Sequence, residues 1–399
     1  MTAIRAAPTA ASSASSGTPR QRLRQVVPDI DLGVWPTGPK NSLTDVPGVL
    51  VHTEEVVDAA RGVHTGVTTI LPRHNWYESG CYAGIFRFNG AGEMTGSHFV
   101  EESGKVASPI VITNTLAVGA AYQGILEYMA AHHGDADKGI GYFSVPLVTE
   151  TFDGYLNNGV AFAVQPSHVS HGIAVANDEA VREGNTGGGT GMVSLGHKGG
   201  TGSSSRVVEG VAKGKKYTVA ALVQANFGSL RNLRIAGVPI GKIVAAERAA
   251  AAQPPPEADK AKKERDGSII VILATDAPLH PRQCERLAKR ATVGLARTGG
   301  YGQNPSGDIF LAFSTANHVP VQKFSKVPPT DPFKPLVHSV DVIDDESING
   351  VLEAAADATE EAIYNALCMA ETLTGFQGHT VEALDLDKLK TVLDKYMVK

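Results

Sequence analysis

The sequence predicts an α/β protein whose helices and sheets lie in layers. Short apolar runs separated by glycine turns recur through its first half. From residue 268 onward the pattern becomes strand, helix, strand, helix, which only stacked layers bury on both faces. The 43 glycines among 399 residues imply many tight turns and close backbone approaches.

The elements follow in order. Residues 1–25 are rich in Ala, Ser, Thr and Arg but lack the apolar core of a secretory signal. Arg5, Arg20, Arg22 and Arg24 without acidic neighbours would also suit a transit peptide. A flexible tail over 1–40 is the preferred reading, followed by one domain over 41–399. Strands are expected near Val49 and over 68–71, 83–88 and 110–113. Val118, Tyr122, Ile125, Leu126 and Met129 place a helix over 116–132. Further strands are expected at 145–148, 159–164 and 218–223, with a glycine-rich stretch over 184–202. Residues 249–266 combine an Ala/Pro tract with a charged run and read as an exposed linker. Pro281 opens a helix to about Arg297, a strand covers 308–314, and a long helix covers 347–373.

Composition removes several classes of function. A net charge of −5, without basic clusters interleaved with aromatics, gives no support to nucleic-acid binding. No apolar run approaches the roughly 20 residues needed to cross a bilayer, and the expected location is cytoplasmic. Cys81, Cys284 and Cys368 form no CxxC pair and read as buried thiols. Asp276 and His280 belong to no metal-binding motif, and Gly187 to Gly191 lacks the ending of a P-loop.

One junction remains. Asp266-Gly267-Ser268 runs directly into the apolar strand Ile269-Ile270-Val271-Ile272-Leu273-Ala274. Taken alone, Gly-Ser is ordinary turn chemistry. Behind a linker and ahead of a buried strand, it is also how a self-processing hydrolase would place a nucleophile. Cleavage between Gly267 and Ser268 would give one residue both a hydroxyl and a free amine of pKa about 7.7–8.0. Such a residue needs no histidine, and no GxSxG elbow is present.

Five motifs in order resemble the DmpA/BapA family of N-terminal-nucleophile aminopeptidases. They are Thr44-Asp45-Val46-Pro47-Gly48; Gly187-Gly188-Gly189-Thr190-Gly191-Met192; Lys198-Gly199-Gly200-Thr201-Gly202; Asp266-Gly267-Ser268 with Ala274-Thr275-Asp276-Ala277-Pro278-Leu279; and Ser306-Gly307-Asp308-Ile309-Phe310. The resemblance implies a four-layer αββα sandwich, cut into an α-chain 1–267 and a β-chain 268–399. It implies Ser268 as nucleophile, Asn226 as oxyanion donor, and Ser306 with Asp308 beside the nucleophile. Relatives often carry glutamate where Asp308 stands, so its reach is shorter. Glu150 would receive the substrate's amino group. Phe152 stands in the substrate pocket where some relatives place a tyrosine hydroxyl, and it cannot donate. Each of these residues also has an ordinary reading, Asn226, Ser306 and Asp308 as turn residues and Glu150 as a surface carboxylate.

The resemblance thus implies a serine aminopeptidase acting on small peptides, amides or esters with a free amino group, β-peptides or D-amino-acid amides among them. It requires no metal or organic cofactor, and implies a homo-oligomer of αβ heterodimers. Nylon-type oligoamide hydrolysis, acyl transfer like that of ornithine acetyltransferases, and an uncleaved small-molecule-binding protein are the competing readings. The first two use threonine at the nucleophile position, where this chain has Ser268.

Overall fold

The computed structural model describes residues 19–135, 139–140, 144–251, 267–321, 331 and 333–398. Strands β1 (Leu50–Asp58), β2 (Val63–Leu71), β3 (Ser79–Arg87), β4 (Lys105–Val106), β5 (Ile110–Asn114), β6 (Leu147–Thr151), β7 (Gly200–Glu209), β8 (Lys216–Ala225), β9 (Ile269–Thr275) and β10 (Ile309–Pro320) build two main sheets. The larger has the order β7-β8-β9-β10-β3-β4 and the smaller β1-β2-β5-β6. Helices α1 (Val118–His133), α2 (Pro166–Val175), α3 (Pro281–Thr298) and α4 (Asn349–Cys368) cover their outer faces.

Period-two alternation explains why the layers stack in this way. In β9, Ile270, Ile272 and Ala274 join Ile70, Ile110 and Ile112 between the two sheets. Ile269, Val271 and Leu273 point the other way, onto Cys284, Leu287, Ala291 and Leu295 of α3 and onto α4. On the far side, Ala121, Ile125 and Met129 of α1 and Val169 and Ile173 of α2 cover Val67 and Val111. The result is the expected αββα sandwich. Each fully buried Ile, Leu or Val contributes about 1.5–3 kcal/mol of transfer free energy.

Among the described residues each sheet contains one parallel pair, β5 with β6 and β9 with β10. Parallel neighbours need a long crossover, and α1 and α3 lie within those two connections. Every other pairing within the two sheets is antiparallel.

Four expectations need correction. The stretch 159–164 is not a strand. It makes a 3-10 turn at Gly159–Ala161, and Phe162 adopts φ 44°, a left-handed conformation no strand tolerates. The long helix stops at Cys368, short of residue 373. From residue 19 the expected tail is packed, because Leu23, Val26, Val27, Ile30 and Leu32 enter the core beside α4. The linker expected over 249–266 begins inside the helix Ile240–Ala250, and residues 252–266 lie outside the described residues. The three cysteines are free and buried.

The packed N-terminal segment is anchored by charge. Glu361 of α4, with a fully buried side chain, accepts from Arg24 Nε at 2.8 Å, Arg206 Nη2 at 2.8 Å and Asn41 Nδ2 at 2.6 Å. These donors hold the Glu361 carboxyl below its ordinary range, although burial opposes them. Breaking such a buried pair leaves an uncompensated charge. Glu361→Ala should therefore destabilise the fold by about 3–5 kcal/mol, read as a lower urea midpoint; an unchanged midpoint would show that the pair is not a structural tie.

Candidate active site

Strand register brings the sequence-predicted residues to one end of the larger sheet. Ala225 of β8 pairs with Ile269, and the ladder continues one step further, where the Asn226 N–H donates to the Ser268 carbonyl at 3.1 Å. On the other side β9 runs parallel to β10, with Ile270 opposite Ile309. Asp308 thereby falls beside Ile269, whose N–H donates to its Oδ1 at 3.0 Å. Ser268 is buried, at 7% exposure.

Around the Gly267–Ser268 bond the hydrogen bonds are short. The Gly307 N–H donates to Ser268 Oγ at 2.8 Å. Ser306 Oγ lies 2.6 Å from the Gly267 carbonyl oxygen and 2.7 Å from Asp308 Oδ1. A hydroxyl has one proton, so Ser306 serves one acceptor at a time. Ser306 Oγ thus faces both the Gly267 carbonyl and Asp308, and the Ser268 hydroxyl meets a backbone donor. Asp308, despite its shorter side chain, reaches Ser306.

Asn226 is held at both ends of its amide. Oδ1 accepts from the Val193 N–H at 2.9 Å and Nδ2 donates to the Phe152 carbonyl at 2.8 Å. A side chain at Gly267 would collide with the Asn226 backbone carbonyl, with Nδ2 2.9 Å away. Glycine is thus required there by close approach, and Asn226 Nδ2 stands beside the same peptide.

Glu150, at the end of β6, enters from the smaller sheet. Its Oε1 accepts from the Glu93 N–H at 3.0 Å and its Oε2 from the Thr115 hydroxyl. Burial raises its carboxyl above the ordinary value, and these two bonds partly oppose the rise. A Cβ on Gly92 would stand 3.0 Å from the Gly307 Cα and 3.4 Å from Glu150 Oε1. Glu150 and the Gly307 N–H that meets Ser268 therefore flank one narrow gap. Phe152 is 39% exposed, and it is the Phe152 carbonyl that contacts Asn226. Behind the Gly267 peptide, Gly267, Asn232, Tyr301, Gln303, Ser306 and Asp308 line part of a cavity of about 10 Å³, room for one water.

Some participants were invisible in the sequence. The Gly307 donor is backbone and carries no side-chain signal. Lys198 lies within one of the quoted motifs yet is fully buried, its Nζ donating to the Gly189 and Gly199 carbonyls at 3.2 and 2.7 Å. Burial lowers its ammonium to about 7, and raises the Asp153 carboxyl to about 6. The glycine-rich segment that supplies those carbonyls forms a buried 3-10 turn at Gly187–Gly189, a backbone turn rather than a phosphate loop. His280 caps α3, its Nδ1 accepting from the Arg282 N–H, and Asp276 accepts from the Thr218 N–H.

A serine hydroxyl beside a glycine carbonyl, fixed amide and hydroxyl donors, and a buried carboxylate across the gap suit acyl chemistry on an amine-bearing substrate. Comparison with known proteins gives the same direction. The profile of peptidase family S58 matches residues 41–381. A β-peptidyl aminopeptidase of Sphingosinicella microcystinivorans is 42% identical, over 97% of this chain and 94% of that protein. The solved β-aminopeptidase of a Burkholderia species aligns at 38% identity and TM-score 0.82, covering 95% of this chain and all (100%) of the other. The L-aminopeptidase D-Ala-esterase/amidase of Ochrobactrum anthropi, described as a variant of the Ntn hydrolase fold, aligns at 39% identity and TM-score 0.80, covering 95% and 99%.

Proposed function

The chain belongs to peptidase family S58 and is an aminopeptidase; from that premise we propose that it cuts itself between Gly267 and Ser268 and works through the new N-terminal serine. The observation that most supports this is the Ser306 hydroxyl on the Gly267 carbonyl at 2.6 Å, with the Gly307 N–H on the Ser268 hydroxyl at 2.8 Å. The carbonyl is polarised on the peptide whose cleavage frees the serine.

In processing, Ser268 Oγ attacks the Gly267 carbonyl carbon. Negative charge gathers on the oxygen that faces Ser306, with the Asn226 amide beside it, and preorganised donors at such an oxyanion contribute a few kcal/mol each. The Gly267–Ser268 C–N bond breaks, the nitrogen takes the proton and becomes the α-amine, and an ester remains. One water, for which the small cavity has room, splits that ester and leaves chains 1–267 and 268–399.

In turnover the same hydroxyl attacks the substrate's acyl carbon while its own amine takes the proton. The leaving amine departs with that proton, and water then releases the acyl group. Asp308 and Ser306 orient this end of β9. Glu150 takes the substrate's ammonium by charge-assisted hydrogen bonds, with Phe152 forming an apolar wall beside it. The substrate class is small peptides, amides or esters with a free α- or β-amino group, the β-amino acyl class following the names of the relatives. A homo-oligomer of two-chain units in the cytoplasm is the setting this reading expects. Among the described residues no helix is long and apolar enough to cross a membrane.

Intact-mass analysis of purified protein should give two chains for the wild type and one for Ser268→Ala; a full-length wild type, or a mutant that still splits, would contradict self-processing.

Glu150 gives a pH prediction with a definite sign. Its pKa is raised, so falling pH neutralises it earlier than an ordinary carboxyl and the ammonium loses its partner. KM for an aminoacyl p-nitroanilide should climb on the acid side. Hydrogen bonds to charged groups are worth about 1.5–3 kcal/mol, so Glu150→Gln should raise KM at neutral pH by roughly 10- to 100-fold and flatten its acid dependence. A mutant with wild-type KM and pH profile would remove Glu150 from substrate binding.

A further inference from the structure

Far from Ser268 in sequence, the edge of the smaller sheet carries a constellation that the peptidase chemistry does not use. His52 and Glu54 sit two apart on β1 and so share one face of that edge strand. His171 faces them from α2. Its Nδ1 lies 3.0 Å from Glu54 Oε2, and His52 Nε2 lies 3.9 Å from the same oxygen. The two imidazole rings meet edge to face, centroids 5.4 Å apart, and one ligand atom from each of the three residues falls within 4.8 Å of the others.

The backbone explains how a helix residue comes this close. Gly172 faces the sheet, where a Cβ would stand 2.6 Å from Thr69 Oγ1 and 3.6 Å from the His52 ring. Without a side chain there, α2 settles onto the strands and carries His171 over Glu54. Arg182 Nη2 bonds Glu55 Oε1 at 2.7 Å, and among the described residues Glu54 Oε2 faces both imidazoles. Side-chain exposures of 23% for His52, 26% for Glu54 and 56% for His171 leave the group open to solvent.

We propose that His52, Glu54 and His171 form a binding site for a first-row divalent transition cation, Zn²⁺ or Co²⁺ in class, that clamps α2 to the edge strand β1. Two imidazole nitrogens and one carboxylate are a borderline donor set that favours such ions over Mg²⁺ or Ca²⁺. Bond lengths of about 2.0–2.2 Å to nitrogen and oxygen require only small side-chain rotations from the present separations. His171 would bind through Nδ1 as the neutral tautomer protonated at Nε2, the cation replacing its contact with Glu54. Water completes the coordination on the exposed side.

The role is structural. A cation bound to the folded state and not to the unfolded one raises stability by mass action. It would tie the edge strand β1, which Asn177 already bridges at Val51, to its covering helix.

The test titrates ZnCl₂ into chelator-stripped wild type, His171→Ala and Glu54→Gln by calorimetry, reads the thermal midpoint with and without Zn²⁺, and records the visible spectrum of the Co²⁺ form. His171 is exposed, so its loss should leave the metal-free midpoint and p-nitroanilide hydrolysis unchanged; these serve as folding controls. The wild type should bind one Zn²⁺ saturably, with a raised midpoint and a Co²⁺ ligand-field band. Each variant should bind at least as much more weakly as the roughly 10–100-fold lost with an outer partner of a metal ligand, and lose the midpoint shift. No saturable binding to the wild type, or equal binding and midpoint shifts in wild type and variants, would overturn the site.

Discussion

The molecule is organised around a strand with no solvent-facing side chain. All seven residues of β9 are buried, one face against the second sheet and the other against α3 and α4. A strand so enclosed cannot slip by one residue without turning every side chain onto the wrong face. The residue at its entrance is therefore fixed as firmly as the core itself. Ser268 inherits its position from that packing, and its neighbours inherit theirs from register. The antiparallel ladder to β8 delivers Asn226, and the parallel ladder to β10 delivers Asp308, Gly307 and Ser306.

The proposed chemistry turns on the one proton of the Ser306 hydroxyl. Ser306 has a single hydroxyl hydrogen between the Gly267 carbonyl and Asp308. Before cleavage, donation to the carbonyl favours attack on it. After cleavage that carbonyl leaves, and the same hydroxyl is free to turn toward Asp308. One pair of residues can thus support both self-processing and turnover. Glu150 lies on the smaller sheet and approaches Gly92, whose backbone packs closely against Gly307; the proposal gives it the separate task of holding the substrate's ammonium. Joining the two sheets is therefore what completes the site.

Much of this was legible in the sequence because burial leaves a periodic trace. The unbroken apolar run from Ile269 to Ala274 predicted a buried strand, and the helix expected from Pro281 to about Arg297 is the one that packs on it. The errors have physical causes. Val160 and Phe162 look like strand residues, yet both are exposed around a left-handed turn, and composition does not report a single φ angle. The segment from residue 19 looked like a tail because its low-complexity start hides Leu23, Val26 and Ile30, and because its anchor, Glu361 on Arg24 and Asn41, spans more than 300 residues. The Gly307 donor and the burial of Lys198 depend on backbone placement, which residue identity does not encode. Residue types and their order named Ser268, Asn226, Ser306, Asp308 and Glu150, and only register and sheet stacking bring them to one end of the fold.

The central claim is that one residue supplies both hydroxyl and amine. Periodate tests it directly, because it oxidises a 1,2-amino alcohol and so converts an N-terminal serine, but not an internal one, to a glyoxylyl group. Treated protein should show that conversion at the start of the 268–399 chain, and peptidase activity should fall in proportion to it. A 268–399 chain that resists oxidation even when denatured, or full activity after its terminus has been oxidised, would contradict the account.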